Sequence, residues 1–302
     1  MPGKRKSRSR AERFSVNHQK SWLWGRHVVE DTLRSGRWPI IDLFLTDAVA
    51  QELSELLTQS TSRGIIHQVV SAQRLEELAH TADHQGLIAR MGAFPYPSVV
   101  EWNELLSRCK HASSLDLQAS PLVPDSRHSE QSGLFVLCDR IQDAFNFGAI
   151  LRSCDATQVS AVVIGRHEQV GVTSQVARSS AGAVNHVPIH RTDDLPAVAA
   201  QLRSCGLAIV AASEKAALPM WQANLSRPTA LLIGSESHGL SPELINCCDL
   251  RVSIPMLGTG TSLNAAVATG VLLYEIRRQQ RPEHRIADRL AMESDLKDVS
   301  II

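Results

Sequence analysis

The chain of 302 residues has no apolar run long enough to cross a bilayer, and its start lacks the apolar core of a signal peptide. Nor is there a C-x-x-C pair among Cys109, Cys138, Cys154, Cys205, Cys247 and Cys248. That spacing argues against a structural metal and a disulfide framework, and several of these thiols sit in apolar runs as small hydrophobes. His186 and His190 are four apart, but Pro188 between them breaks the helix a metal pair would use. Gly258 and Gly260 begin a dinucleotide fingerprint, yet its third glycine position is Leu263. The expectation is a reduced, cytoplasmic chain, bound neither to a membrane nor to a metal.

What is present is organised in blocks. Lys4, Arg5, Lys6, Arg8, Arg10, Arg13 and Lys20 face Glu12 alone, so residues 1–21 read as a disordered basic arm, either merely solvated or attracting a polyanion. Residues 22–95 alternate helix and strand signals: helices at Gly25 to Leu33, Ala48 to Leu57 and Ser71 to Leu78, strands at Ile41 to Leu45, Gly64 to Val70 and Gly86 to Met91. Residues 96–132 allow one short helix before a Ser-, Asp-, Pro- and His-rich stretch and read as a linker. Residues 133–280 resume the alternation, with apolar runs at Leu134 to Cys138, Ser160 to Ile164, Leu207 to Ala212, Ala230 to Ile233 and Val252 to Met256. Strands alternating with helices argue for a parallel α/β sheet covered on both faces. Residues 281–302 form a charged tail.

In such sheets ligands bind beyond the C-terminal ends of the strands, so the polar residues after each apolar run matter most. After the first comes DRIQDAFNFGAILRS, in which Asn146 is positioned to cap a helix. Arg152 lies off that helix's apolar stripe, either as a solvated arginine or as a guanidinium that grips a phosphate or ribose hydroxyl. After Ala230 to Ile233 comes Gly234-Ser235-Glu236-Ser237-His238-Gly239-Leu240, a turn that lets a ligand approach the backbone, then Pro242 at a first helical position. After the last run, a small-residue loop leads to Ser262-Leu263-Asn264, with Ser262 as the expected cap and Leu263, Val267, Val271 and Tyr274 at helical spacing.

NFGAILR at 146–152, GSESHGL at 234–240 and IPMLGTGTSLN at 254–264 together resemble, in order, the three motifs of the SpoU (TrmH) family of RNA ribose methyltransferases. Ser180-Ala181-Gly182-Ala183 is similar to the family's usual intervening segment. WLWGRHVVEDTL and His84-Gln85-Gly86 resemble the substrate domain of its ribosomal-RNA branch. The resemblance implies a SPOUT-type parallel sheet with a trefoil knot between about Leu231 and Glu275, preceded by a small ribosomal-protein-like α/β substrate-binding domain. It further implies a homodimer and S-adenosylmethionine-dependent methylation of a ribose 2′-hydroxyl, in 23S ribosomal RNA, with transfer RNA or a catalytically silent RNA-binding protein as alternatives. By the same resemblance Arg152 is the central catalytic residue, with Asn146, Glu236, Ser262 and Asn264 around it. Gly234, Ser235, Glu236, Gly239, Ile254, Met256, Ser262, Leu263 and Asn264 would hold the cofactor. Phe147, Thr259 to Thr261 and Ala265 to Ala266 depart from the family's pattern, which bears on the substrate more than on the reaction.

Overall fold

The computed structural model describes residues 21–114 and 133–280. The basic arm up to residue 20, the linker beyond Ser114 and the C-terminal tail lie outside the described residues. The first sheet has four strands, β1 (Trp22–Trp24), β2 (Ile40–Leu45), β3 (His67–Val69) and β4 (Leu87–Met91), in the order β1-β4-β2-β3. Around it lie α1 (Arg26–Ser35), α2 (Asp47–Glu52), α3 (Ser54–Ser62) and α4 (Ala72–Ala79). Ser71 caps α4, its Oγ accepting from the Arg74 amide at 3.2 Å. The single helix expected from Ala48 is instead two, broken where Leu53 leaves helical geometry. β1 went unpredicted: three residues are too short to show alternation, and only antiparallel pairing with β4 makes them a strand.

The helix expected inside the linker is longer than predicted. It is α5 (Val99–Ser114), and its Trp102 stacks on His190 of the second unit with ring centroids 4.3 Å apart. Trp102 Nε1 also donates to Gln201 Oε1 at 3.2 Å. Cover from a distant segment sustains this helix, which no local pattern reveals.

The second sheet is wholly parallel. Its strands β5 (Leu134–Asp139), β6 (Ala161–Gly165), β7 (Ile189–Thr192), β8 (Ala208–Ala212), β9 (Thr229–Gly234) and β10 (Leu250–Val252) run in the order β10-β8-β9-β5-β6-β7. β5 is buried throughout, and its side chains alternate between two cores. Leu134, Val136 and Cys138 pack with α6 (Ala144–Ala156), α7 (Ser174–Ser179) and α10 (Ala265–Gln280). Phe135 and Leu137 pack with α5, α8 (Leu195–Ser204) and α9 (Pro242–Cys247) on the other face.

Four local expectations are corrected. The strand expected to reach Met256 ends at Val252, because Pro255 lacks an amide and Ser253 pairs elsewhere, donating to Leu218 O at 2.9 Å and accepting from Met220 N at 2.8 Å. Ser262 does not cap the last helix: Asn264 does, its Oδ1 accepting from the amides of Ala266 at 2.9 Å and Val267 at 3.3 Å. Likewise Asp143, not Asn146, caps α6, its Oδ1 accepting from Asn146 N at 2.8 Å. The α10 stripe seen in the sequence points outward, with Val267 and Tyr274 52% and 60% exposed. Ala265, Ala266, Thr269, Leu272, Leu273 and Ile276 form the buried face.

Two residues fasten the returning chain. Arg277 is buried and donates to Thr157 O and Gln158 O, both at 2.7 Å, where its charge meets the C-terminal carbonyls of α6. Gln279 accepts from Leu225 N at 2.7 Å and donates to Ala223 O at 3.1 Å. The chain thus leaves β10 at one edge of the sheet and returns as α10 against α6.

The two units are joined by specific contacts. The Arg178 guanidinium of α7 lies 3.2 Å from the centroid of a Trp24 ring, and burial lowers its pKa to about 10. Asp31 of α1 accepts from Asn185 Nδ2 at 2.7 Å and meets His186 Nε2 at 2.9 Å. A Cβ at Gly182 would stand 2.7 Å from Asp31 Oδ2, so the 180–183 segment is the platform on which α1 rests.

Candidate active site

Three loops meet at the C-terminal ends of β5, β9 and β10. From the first, capping by Asp143 frees the Asn146 side chain, whose Nδ2 donates to Glu236 Oε1 at 3.0 Å. From the third, Asn264 Nδ2 donates to Glu236 Oε1 at 2.5 Å and to Asn146 Oδ1 at 3.0 Å. The Ala265 amide, at the first turn of α10, also donates to Glu236 Oε1 at 3.3 Å. A carboxylate placed at a helix N-terminus gains from the orphan amides and the dipole. Three motifs distant in sequence are thereby closed into one triangle. Oε2 of Glu236 takes no hydrogen bond among the described residues, which leaves it as an acceptor for a ligand.

The turn that carries Glu236 is built tightly. Gly234 admits no side chain, since a Cβ there would lie 2.2 Å from the Gly239 carbonyl carbon. Ser235 and Gly239 exchange backbone bonds, N to O at 3.2 Å and 2.8 Å, and Gly239 sits at φ 65. Asp139, buried at the end of β5, accepts from Ser241 N at 2.6 Å and from Arg140 Nε at 3.1 Å. Arg140 Nη2 donates in turn to Gly239 O at 3.3 Å. Sequence reasoning passed over Asp139, Arg140 and Asp143. The available signal was an acid at the end of an apolar run, where a buried carboxylate must find donors.

The loop from Ile254 to Leu263 is the opposite case. None of its residues makes a hydrogen bond to another described residue, Met256 is exposed and Leu257 is 95% exposed. Its amides and carbonyls have no protein partner among the described residues. Gly234, Ser235 and Gly239 line the neighbouring turn. Arg152 is exposed on α6 and its guanidinium has no partner among the described residues, and Ser262 is likewise exposed and unbonded. The structure therefore joins Asn146, Glu236 and Asn264 but brings neither Arg152 nor Ser262 into hydrogen-bond contact with them.

Around the site, Gly148 lets α6 touch α7, since a Cβ would fall 1.9 Å from Ser179 Oγ. Burial pushes the Cys138 thiol up to about 12 and Cys154 well above its ordinary value, so neither is a nucleophile. Among the described residues no three His, Cys, Asp or Glu side chains gather as a metal site. His186 and His190 go separate ways, one to Asp31 and the other to Trp102.

A parallel sheet with three polar loops converging beyond its strand ends is the usual ligand-binding arrangement of the α/β class. The family model described as the SpoU rRNA Methylase family matches residues 133–274. One described as RNA 2′-O ribose methyltransferase substrate binding matches residues 22–97. The 23S rRNA (guanosine-2′-O-)-methyltransferase RlmB of Shewanella oneidensis is 33% identical over 260 residues, which cover 86% of this chain and 97% of that one. YacO of Bacillus subtilis, assigned to the TrmH family of tRNA/rRNA methyltransferases, is 28% identical over 88% of this chain and 99% of its own. In fold, the chain is similar to an AdoMet-bound rRNA methyltransferase of Sinorhizobium meliloti, with a TM-score of 0.68 and 23% identity over 90% of this chain and 92% of that one. The chain belongs to the SpoU (TrmH) family of methyltransferases.

Proposed function

We propose that the protein transfers a methyl group from S-adenosylmethionine to a ribose 2′-hydroxyl of RNA, and that the RNA is 23S ribosomal RNA. The observation that carries this reading is the triangle of Asn146, Glu236 and Asn264, which unites the three family motifs at one place. The choice of RNA rests on the Shewanella relative, whose name gives a guanosine of 23S rRNA.

S-adenosylmethionine supplies a methyl already activated on sulfonium. The backbone of Gly234, Ser235, Gly239, Ile254, Met256 and Leu263, together with the unbonded Ser262 hydroxyl, would hold it. The protein's remaining task is to align the 2′-oxygen and manage its proton. Glu236 is held on one oxygen by three donors, so its free Oε2 keeps a fixed direction toward an incoming hydroxyl. Arg152, without an internal partner, binds the phosphate beside the reacting ribose, a task that suits a guanidinium better than proton abstraction.

The outward stripe of Val267 and Tyr274 on α10 supports a homodimer through this domain, and the chain back from β10 to α10 supports a trefoil knot. The two sheets support domains at 22–95 and 133–280. Among the described residues no helix is long and apolar enough to cross a membrane, and the ribosomal substrate makes the cytoplasm its site of action. Purified protein incubated with radiolabelled S-adenosylmethionine and 23S RNA transcripts tests the reading. The label is expected in an alkali-resistant dinucleotide. Failure to bind S-adenosylmethionine by calorimetry overturns it.

A further inference from the structure

α6 carries a residue that neither the triangle nor the core accounts for. Phe145 precedes Asn146 and is 63% exposed. A single exposed ring is ordinary on a protein surface, but this one adjoins Asn146 and shares its helix with Arg152, unpartnered among the described residues. Phe145 and Arg152 are seven residues apart, which places both on one stripe of the helix, about 10 Å apart along its axis. Between them on that stripe is Ala149, which projects only a methyl. The helix thus presents an exposed ring and an unpartnered guanidinium, with the half-buried Ala149 between them, beside the pinned Asn146.

This pattern differs from the α10 face. There Val267 and Tyr274 are exposed on one face with the half-buried Val271 between them, so the apolar residues of that face are contiguous. Phe145 is one ring flanked by exposed Gln142 and Asp143, too small and polar a setting for such an interface.

The geometry points to Phe145 as a stacking platform for a base of the RNA strand, next to the nucleotide whose phosphate Arg152 holds. It rests on the proposed RNA substrate. A base unstacked from its neighbours regains contact on an aromatic face, and a ring accepts any base, so the platform secures the strand without reading its sequence. The neighbouring nucleotide is thereby fixed, and the 2′-oxygen is presented at a set distance from Glu236.

The test compares Phe145→Ala, Phe145→Leu and Phe145→Trp with the unaltered full chain. Measured are RNA affinity by titration of a fluorescent 23S fragment, single-turnover methyl transfer, S-adenosylmethionine affinity by calorimetry, and mass by light scattering. Phe145→Ala is expected to weaken RNA binding by about ten-fold to a hundred-fold, with cofactor affinity and mass unchanged. Phe145→Leu should be nearly as weak, since it restores bulk without a π face, and Phe145→Trp should bind as well as Phe. Full RNA affinity in Phe145→Leu overturns stacking in favour of plain apolar contact. Full affinity in Phe145→Ala removes the residue from RNA binding, and a fall in mass assigns it to a subunit interface. If the unaltered chain methylates no RNA, the proposed function fails rather than the platform alone.

Discussion

The two loops that frame the site are built on opposite plans. The 234–241 turn is fastened at every step, by Gly234 against Gly239, by the Ser235–Gly239 bridge and by Asp139 on Ser241. The 254–263 loop has no hydrogen bond between Ser253 and Asn264 among the described residues, and only Ile254 at its start packs on the core. Both leave the same end of the same sheet. On the proposed function, one presents a carboxylate in a fixed direction, whereas the other keeps its backbone groups open for the cofactor. Arg152 follows the second plan on a third element: it is unpaired in the protein and so available to substrate. A tied group, when removed, should cost stability as well as activity. An untied one should cost activity alone.

Arg152→Ala gives the largest expected effect on that distinction. Single-turnover methyl transfer should fall about a thousand-fold, comparable to the loss of a charge-stabilising donor in other enzymes. Stability should stay within about 0.5 kcal/mol by urea titration, because the side chain touches nothing to be lost. Arg152→Lys should be nearly as slow if the planar fork grips two oxygens. A normal rate in Arg152→Ala returns this residue to the class of solvated arginines.

Gly234→Ala should behave in the other manner. The added methyl meets backbone rather than a flexible side chain, so unfolding free energy should drop by about 3 kcal/mol, with methyl transfer lost as well. An alanine variant that unfolds at the normal urea concentration would show that the turn can open, and the contrast between the loops would fade.

Asp139→Asn is a milder probe. It removes the charge that Ser241 N and Arg140 share, at a cost of about 1–2 kcal/mol. The Michaelis constant for S-adenosylmethionine should rise several-fold with little change in turnover. Loss of turnover without any change in stability would place Asp139 among the catalytic groups.

The smallest effect is in hydrogen exchange. Amides from Met256 to Leu263 should exchange freely in the protein alone and slow on addition of S-adenosylmethionine, whereas those of Gly239 and Ser241 should be slow in both states. Equal protection of the two loops before ligand is added would contradict their contrast.

Much of this was legible in the chain. Runs such as Leu134 to Cys138 are apolar at consecutive positions, as in a strand covered on both faces, and their alternation with helical segments pointed to the parallel sheet. Pro242 marked a helix start and Ser71 a cap through local chemistry alone. The caps of α6 and α10 were misplaced because Asp143 and Asn146, and Ser262 and Asn264, are all competent cap residues, and the choice depends on where each loop ends. β1 and the length of α5 escaped notice because partners far along the chain, β4 and the second sheet, sustain them.

By itself the sequence determined the inventory: which side chains stand after which strands, which glycines leave room, and which motifs occur in which order. Those are properties of neighbours in the chain. Only the tertiary structure decided that Asn146, Glu236 and Asn264, up to 118 residues apart, share one set of hydrogen bonds while Arg152 and Ser262 stay outside it. The physical reason is the sheet order. Placing β9 beside β5, and sending the chain from the edge strand β10 back to α6, brings three loop ends together that no local interaction connects.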